Sequence, residues 1–117
     1  MAIKRIKVGD RMSQAVVYNN MVTTAGQVAQ GAPGGSVTEQ TKDILASIDA
    51  LLAEAGTDKS KALSATIWLS DIGDFAEMNA VWDAWVSAGN TPTRACVESK
   101  LASPKFTVEI AISAAIE

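Results

Sequence analysis

Arg94 and Glu109 are the two residues whose types and positions could support chemistry in this sequence. The planar guanidinium group of an arginine can hold a carboxylate through two hydrogen bonds. A glutamate beside a cleft can hold and polarise a water molecule. The residues alone also allow a simpler interpretation, in which Arg94 is a solvated strand residue paired with Glu98 or Glu109. Both interpretations are open at this point.

Both residues fall in segments that alternate as β-strands do. In the segment that follows Pro92, Arg94 and Cys96 share one face. Residues 105–116 place a row of apolar side chains on one face, and Glu109 interrupts the small residues of the other. A lone carboxylate there needs a partner or water, so we expect Arg94 on the neighbouring strand to face it. Such an arginine would lower the pKa of Glu109 and burial would raise it, and the sequence leaves the balance open.

The rest of the chain supplies the elements that must position these two segments. Further strands are predicted at residues 3–8, 13–18, 21–28 and 63–69. Two helices are predicted between strands, each opened by residues with capping-box spacing and closed by a glycine. Their boundary signals are, in chain order, Ser36 with Glu39, Gly56, Asp74 with Glu77, and Gly89-Asn90.

The element order is therefore β-β-β-α-β-α-β-β, which is an α+β pattern in a single domain spanning residues 1–117. Two helices are available to cover one face of a mixed sheet. The other face carries Trp68 and further groups that water does not favour. Association with other subunits is the simplest way to cover that face.

Composition narrows the function classes. The 117 residues include no His and one Cys, and the formal net charge is −3. The absence of His excludes Ser-His-Asp and Cys-His catalysis and leaves no ligand set suited to zinc, so no metal is expected. The net charge counts against nucleic-acid binding. With no signal peptide, membrane span or disulfide pattern in the sequence, a soluble cytoplasmic protein is expected.

The carboxyl-terminal segments carry a resemblance to a known family. Pro92-Thr93-Arg94, Cys96-Val97, Lys100-Leu101-Ala102 and Val108-Glu109-Ile110 resemble the signature of the Rid (YjgF) family. These are small trimeric proteins, and the best-known members are enamine/imine deaminases. A looser resemblance extends from Ser13-Gln14-Ala15 through Ala25-Gly26-Gln27 and Phe75-Ala76-Glu77-Met78-Asn79 to the end. It implies a chorismate-mutase-like fold assembled as a homotrimer with clefts between subunits.

The resemblance also implies roles for individual residues. Arg94 would bind the substrate carboxylate, and Glu109 would position water. Cys96 would form part of the cleft wall, and it is otherwise a small buried hydrophobe rather than a nucleophile. Apart from the resemblance, Gly26 lies late in a predicted strand, where its missing side chain permits a bulge or close approach by a ligand. Asn79 matches a family position near the cleft, although ordinary surface polarity explains an asparagine on a helix equally well.

The sequence departs from the family pattern at two positions. Met12 stands where better-known members carry a tyrosine, and Ala25 stands where they carry a serine. Two hydroxyl groups that would contact substrate are therefore missing. Because the arginine and the glutamate remain, the chemistry is expected to survive with a changed substrate preference.

The leading functional expectation is a deaminase that hydrolyses 2-imino acids to 2-keto acids and ammonia without a cofactor. The substrate already carries a reactive carbon, so neither a covalent nucleophile nor a metal is needed. One alternative is a non-catalytic trimeric module that binds small carboxylate metabolites, which the residues Met12 and Ala25 favour. Another is the ribonuclease activity attributed to some relatives, against which the missing His and the net charge count.

Overall fold

The computed structural model describes residues 2–117 and places seven strands and two α-helices in them. Two short 3₁₀ turns, Lys59–Lys61 and Ile72–Asp74, precede the strand Ala62–Leu69 and the helix Phe75–Trp85. The elements are β1 (Lys4–Val8), β2 (Ser13–Tyr18), β3 (Met21–Thr24), β4 (Gln27–Val28), α1 (Val37–Ala55), β5 (Ala62–Leu69), α2 (Phe75–Trp85), β6 (Thr93–Glu98) and β7 (Val108–Ala115). The predicted α+β order is confirmed, with one predicted strand divided in two.

All the strands join one sheet, in the spatial order β1-β2-β3-β7-β5-β6, and β4 also pairs with β7. The β5–β6 pair is parallel because α2 carries the chain back between them, and the other pairs are antiparallel. β5 therefore separates β6 from β7. Arg94 and Glu109 do not lie on neighbouring strands, which corrects the sequence-based expectation.

The core lies between the sheet and the two helices, as predicted. Alternate residues of β5 and β7 are buried on the helix side, whereas those between them are only partly buried or exposed. The largest fully buried side chains are Ile6, Ile44, Ile48, Leu52, Ile67, Leu69, Met78 and Ile110. Leu63 continues the alternation in sequence, but it is 47% exposed because a bulge between Ala62 and Ser64 shifts the register there.

The predicted capping box of α1 is present. The Ser36 hydroxyl accepts from the Glu39 N–H, and the Glu39 carboxylate accepts from the Ser36 N–H, each over 3.1 Å. Gly56 ends the helix in the left-handed region at φ 90°. Because both boundaries use strong local signals, the sequence placed this helix correctly.

The second helix begins at Phe75, directly after Asp74 as predicted, but the predicted capping contact is absent and the predicted end at residues 89–90 was wrong. Asp74 makes no capping hydrogen bond, because a 3₁₀ turn leads directly into the helix and holds this residue at φ −86°, ψ 5° rather than in the extended conformation of a cap. The side chain that caps this region is Asp71, which accepts from the Gly73 N–H at 2.8 Å. The helix ends at Trp85, ahead of residues 89–90, because Val86 is extended.

Two predicted strands were too long. The segment 21–28 is interrupted at Ala25 and Gly26, and the last strand begins at Val108 rather than Lys105. The residues before Val108 are fixed by the buried Gln40 instead of by strand pairing. Its Nε2 donates to the carbonyl oxygens of Gly35 and Lys105, both at 3.0 Å, and its Oε1 accepts from the Thr107 N–H at 2.9 Å.

Within residues 2–117, both helices lie on the same side of the sheet, and the opposite face retains apolar side chains. Tyr18, Met21 and Val97 on that face are 54%, 47% and 45% exposed, and Trp68 is half-buried. We refer to this surface as the uncovered face. In the described part of the chain, neither helix is long and apolar enough to cross a membrane.

Candidate functional site

Arg94 is held against one face of α2. Its Nη1 donates to the Oδ1 of Asn79 over 2.7 Å. Its guanidinium carbon lies 5.6 Å from the ring centroid of Phe75 and 5.5 Å from that of Trp82. Positions 75, 79 and 82 fall on one stripe of a helix because it turns once every 3.6 residues. We call Arg94, Phe75, Asn79 and Trp82 the arginine half-site.

No carboxylate neutralises Arg94 within residues 2–117, where the ion pairs are Lys7–Glu54 and Lys61–Glu117. Glu98, the partner considered from sequence, instead accepts from the N–H of Ile72 at 3.0 Å. The interpretation of Arg94 as one half of a structural ion pair is therefore wrong for this chain. Its guanidinium has five N–H donors, and the contact with Asn79 is its one side-chain hydrogen bond in the described residues.

Glu109 lies on the opposite side of the sheet from Arg94. It is in register with Trp68 of β5 and Val28 of β4, whereas Arg94 is in register with the buried Ala65. Across the sheet, Arg94 and Glu109 are separated by two strand spacings, which is about 10 Å. Along the strands they are separated by three residues, which adds about 10 Å. One chain therefore does not bring the two predicted site residues together.

Gly26 makes room for Glu109. A Cβ atom added to this glycine would overlap the Glu109 carboxylate and lie 2.9 Å from its Cδ atom. Gly26 therefore does allow a close approach, but the group that approaches it in this chain is the Glu109 side chain. Burial raises the pKa of Glu109 above the ordinary value of 4.5. Of the two opposing effects foreseen, desolvation is the one present.

A cavity of about 620 Å³ opens beside this carboxylate. Met12, Gln14, Gly26, Gln27 and Glu109 contribute to its wall, and Met12 is 52% exposed. We call Glu109, Gly26 and this cavity the glutamate half-site. The Gln27 amide donates to the Gln14 Oε1 at 2.9 Å and to the Ala25 carbonyl at 3.1 Å, which holds the chain where β3 and β4 separate.

Cys96 follows Arg94 on the same face of β6 and is half-buried. Burial raises the pKa of its thiol, and the positive charge of Arg94 offsets only part of that rise. The thiol therefore stays protonated at neutral pH, which is consistent with a wall residue rather than a nucleophile. No group of three or more His, Cys, Asp or Glu side chains in residues 2–117 is arranged to hold a metal ion.

Sequence reasoning did not assign Phe75 or Trp82 to the site. The available signal was their spacing around Asn79 on a helix that precedes the arginine strand. Asn79 itself is not an ordinary surface residue, because its amide is bonded to Arg94. The Gln14–Gln27 contact was also missed, since local patterns do not show which polar side chains meet across strands.

Comparisons with known proteins cover nearly the whole chain. The family model described as "Endoribonuclease L-PSP" matches residues 2–116. A RutC family protein from Haemophilus ducreyi is 44% identical over 114 residues, which are 97% of this chain and 97% of that protein. The RutC family protein YoaB from Escherichia coli is 46% identical over 116 residues, 99% of this chain and 100% of that protein.

Solved structures show the same architecture. A YjgF family member from Neisseria meningitidis superposes with a TM-score of 0.96 and 49% identity, over 100% of this chain and 97% of that one. A protein of the Rid family from Yersinia pestis, described as of unknown function, gives a TM-score of 0.87 and 25% identity over 98% of this chain and 100% of that one. The mixed sheet with two helices on one side is thus shared, consistent with a chorismate-mutase-like fold.

Proposed function

Because this chain belongs to the endoribonuclease L-PSP family, which includes the Rid, YjgF and RutC proteins, we propose that it hydrolyses 2-imino acids and their enamine tautomers to 2-keto acids and ammonia. The observation that carries the proposal is a pair of uncompensated functional groups. Arg94 has no carboxylate partner within residues 2–117, and the pKa of Glu109 is raised by burial. An unpaired arginine is suited to bind an anionic substrate, and a glutamate with a raised pKa is suited to act as a base.

The site is completed between subunits. A four-carbon acid is only about 5 Å long, so it cannot bridge Arg94 and Glu109 of one chain across the sheet. We place Arg94 of one subunit opposite Glu109 of its neighbour in a homotrimer. The exposed apolar side chains of the uncovered face, Tyr18, Met21 and Val97, supply a surface that association would bury.

The reaction follows from these positions. Arg94 binds the substrate carboxylate and fixes the imine carbon in the cleft. Glu109 accepts a proton from water, and the water oxygen attacks the imine carbon. The imine nitrogen takes up the protons, the C–N bond breaks and ammonia leaves as the C=O bond of the 2-keto acid forms. The net reaction consumes one water per imine, with no change in oxidation state.

Met12 and Ala25 modify the preference for substrate rather than the chemistry. Neither side chain can donate a hydrogen bond to the substrate, and Met12 presents a flexible thioether at the cavity wall. We therefore assign the side-chain end of the substrate to an apolar class, such as 2-iminobutanoate.

The direct test couples the protein to an amino-acid oxidase that generates imines and follows the release of keto acid. We expect faster release with the wild-type protein than without it, and no such acceleration with Glu109→Gln. A trimer that leaves the release rate unchanged for several apolar imino acids would refute the deaminase proposal.

A mixing experiment tests the intersubunit arrangement. Arg94→Ala and Glu109→Gln are each expected to have strongly reduced activity at low substrate concentration when tested alone. Unfolded together in equal amounts and reassembled, they should recover about a quarter of the wild-type sites, because each site needs one intact group from each of two subunits. Light scattering should report trimers throughout. Reassembled mixed trimers with no more activity than the separate variants would contradict a site shared between subunits.

A non-catalytic module that binds small carboxylates is the second candidate, and the missing hydroxyls at positions 12 and 25 favour it. Such a protein would bind 2-ketobutyrate but would not accelerate imine hydrolysis. The family description also names an endoribonuclease. The net charge of −3 and the absence of His count against RNA cleavage, which incubation with labelled RNA would detect.

A further inference from the structure

We propose that Asn79 is a positioning residue that holds Arg94 through a neutral acceptor and so keeps its positive charge available for an anionic ligand. The inference rests on the proposed function, since it explains how the carboxylate-binding group is prepared. It concerns the charge state of the binding site rather than the reaction.

The surroundings of Arg94 are uncharged. The hydrogen-bond acceptor is the Asn79 amide oxygen at 2.7 Å, and the other close groups are the rings of Phe75 and Trp82. Aromatic rings attract a guanidinium group through their quadrupoles without neutralising it. The side chain is therefore fixed on several sides by groups that leave its charge intact.

Two carboxylates on the elements that carry the arginine half-site are bound elsewhere. Glu98, on the same strand face as Arg94, accepts from the Ile72 N–H at 3.0 Å. Glu77, on the same helix as Asn79, accepts from both the backbone N–H and the hydroxyl of Thr38 at 2.9 Å. These contacts hold two nearby negative charges away from the arginine half-site.

An arginine fixed in this way retains most of its hydrogen-bonding capacity. One of its five N–H donors meets Asn79, and a carboxylate that binds in bidentate fashion needs two of the others. An aspartate at position 79 would accept the same hydrogen bond, but it would also pair with the guanidinium and repel an incoming carboxylate. Fold stability and ligand affinity would then change in opposite directions.

That difference separates positioning from a purely structural role. Asn79→Asp keeps the acceptor and adds one negative charge, and Asn79→Ala removes the acceptor without adding charge. Asn90→Asp adds the same charge at an exposed position beyond α2 and serves as the matched control. Each variant is titrated with 2-ketobutyrate by calorimetry, and each is melted in the absence of ligand.

We expect Asn79→Asp to weaken 2-ketobutyrate binding by about tenfold or more while its melting temperature stays the same or rises. Asn79→Ala should bind less weakly than Asn79→Asp and melt at a lower temperature. Asn90→Asp should leave the affinity unchanged. An Asn79→Asp protein that binds like the wild type would overturn the inference, as would a wild type that binds no 2-ketobutyrate.

This test of Asn79 is independent of the deaminase test, because binding of a stable keto acid requires no turnover. If the variants separate as expected and the wild type hydrolyses no imine, deamination alone is refuted. If the wild type hydrolyses imines and Asn79→Asp has unchanged affinity, the role of Asn79 alone is refuted.

Discussion

Within residues 2–117, the arginine and glutamate half-sites each hold an unpaired charged side chain, but they surround it differently. Each keeps one charged side chain without an oppositely charged partner in the described part of its own chain. The arginine half-site does so by adding groups, with an amide and two aromatic rings around Arg94. The glutamate half-site instead lacks a side chain at position 26, and Glu109 occupies the space that such a side chain would take.

The difference indicates how each half-site contributes. Arg94 is fixed at several points, and a group that determines the position of a ligand must be fixed in this way. Glu109 is set by burial instead, which raises its pKa and makes it a stronger base. In the proposed homotrimer, the cation on one face of one subunit and the base on the opposite face of its neighbour would complement each other.

The largest effect is expected from Glu109→Gln, which changes the glutamate half-site alone. The amide keeps the size of the side chain but cannot accept a proton from water, so turnover should fall by about 10²- to 10⁴-fold. Affinity for 2-ketobutyrate should be nearly retained, because in the proposed site the ligand carboxylate binds at the other half-site. Steady-state kinetics and calorimetry on the same preparation measure both. Unchanged turnover would remove Glu109 from the mechanism.

The next largest effect is expected at Arg94 and should appear in binding. Loss of a charge-assisted hydrogen bond, about 1.5–3 kcal/mol, predicts that Arg94→Ala weakens 2-ketobutyrate by roughly ten- to a hundredfold. Arg94→Lys keeps the charge but loses the planar fork, so it should recover only part of the affinity. Titrations with melting curves alongside provide the comparison. A stable Arg94→Ala protein with normal affinity would contradict the assignment of Arg94 as the carboxylate anchor.

A smaller change is expected from Gly26→Ala, which tests whether the space at position 26 positions the base. The added methyl group would displace the Glu109 carboxylate, so turnover should fall by about tenfold while keto-acid affinity stays close to wild type. Gly31→Ala, whose added methyl group would displace the Asp43 carboxylate instead, is the matched control. If Gly26→Ala lowered affinity and left turnover alone, the division between the half-sites would be wrong.

The smallest effect concerns pH. Glu109 must be ionised to act as a base, so turnover should decrease as pH falls through its raised pKa, above the ordinary 4.5. For stability the sign is reversed. Between 4.5 and the raised value the folded state binds more protons than the unfolded state, so this group lowers stability as pH rises through that window. Both dependences should disappear in Glu109→Gln, as pH profiles and melting curves would show.

The sequence predicted what depends on local patterns. The Ser36–Glu39 capping box, Gly56 and the alternation of β7 each follow from residues close together in the chain, and the structure confirms them. The shared face of Arg94 and Cys96 was predicted for the same reason. The family signature also singles out Arg94 and Glu109, because each lies in a short run of characteristic residues.

The order of the strands across the sheet does not follow from local patterns. Nothing near Arg94 or Glu109 indicates that β5 lies between them, because that order is set by the parallel connection through α2. The expected contact between the two residues failed for this reason. The helix starts after Asp74 as predicted, but the expected capping hydrogen bond is absent because a 3₁₀ turn, whose ends use the same residue types as an N-cap, leads directly into the helix.

The buried Gln40 has a consequence for motion. The end of the loop that joins the arginine strand to the glutamate strand is tied to the start of α1 through that amide, at Lys105 and Thr107, and the Lys105 carbonyl also accepts from the Gly34 N–H. The end of the loop, at Lys105 and Thr107, should therefore not move on the timescale of free surface loops, since moving it would break the hydrogen bonds of the buried Gln40. Its Thr107 amide hydrogen should exchange with solvent only when the first turn of α1 also opens.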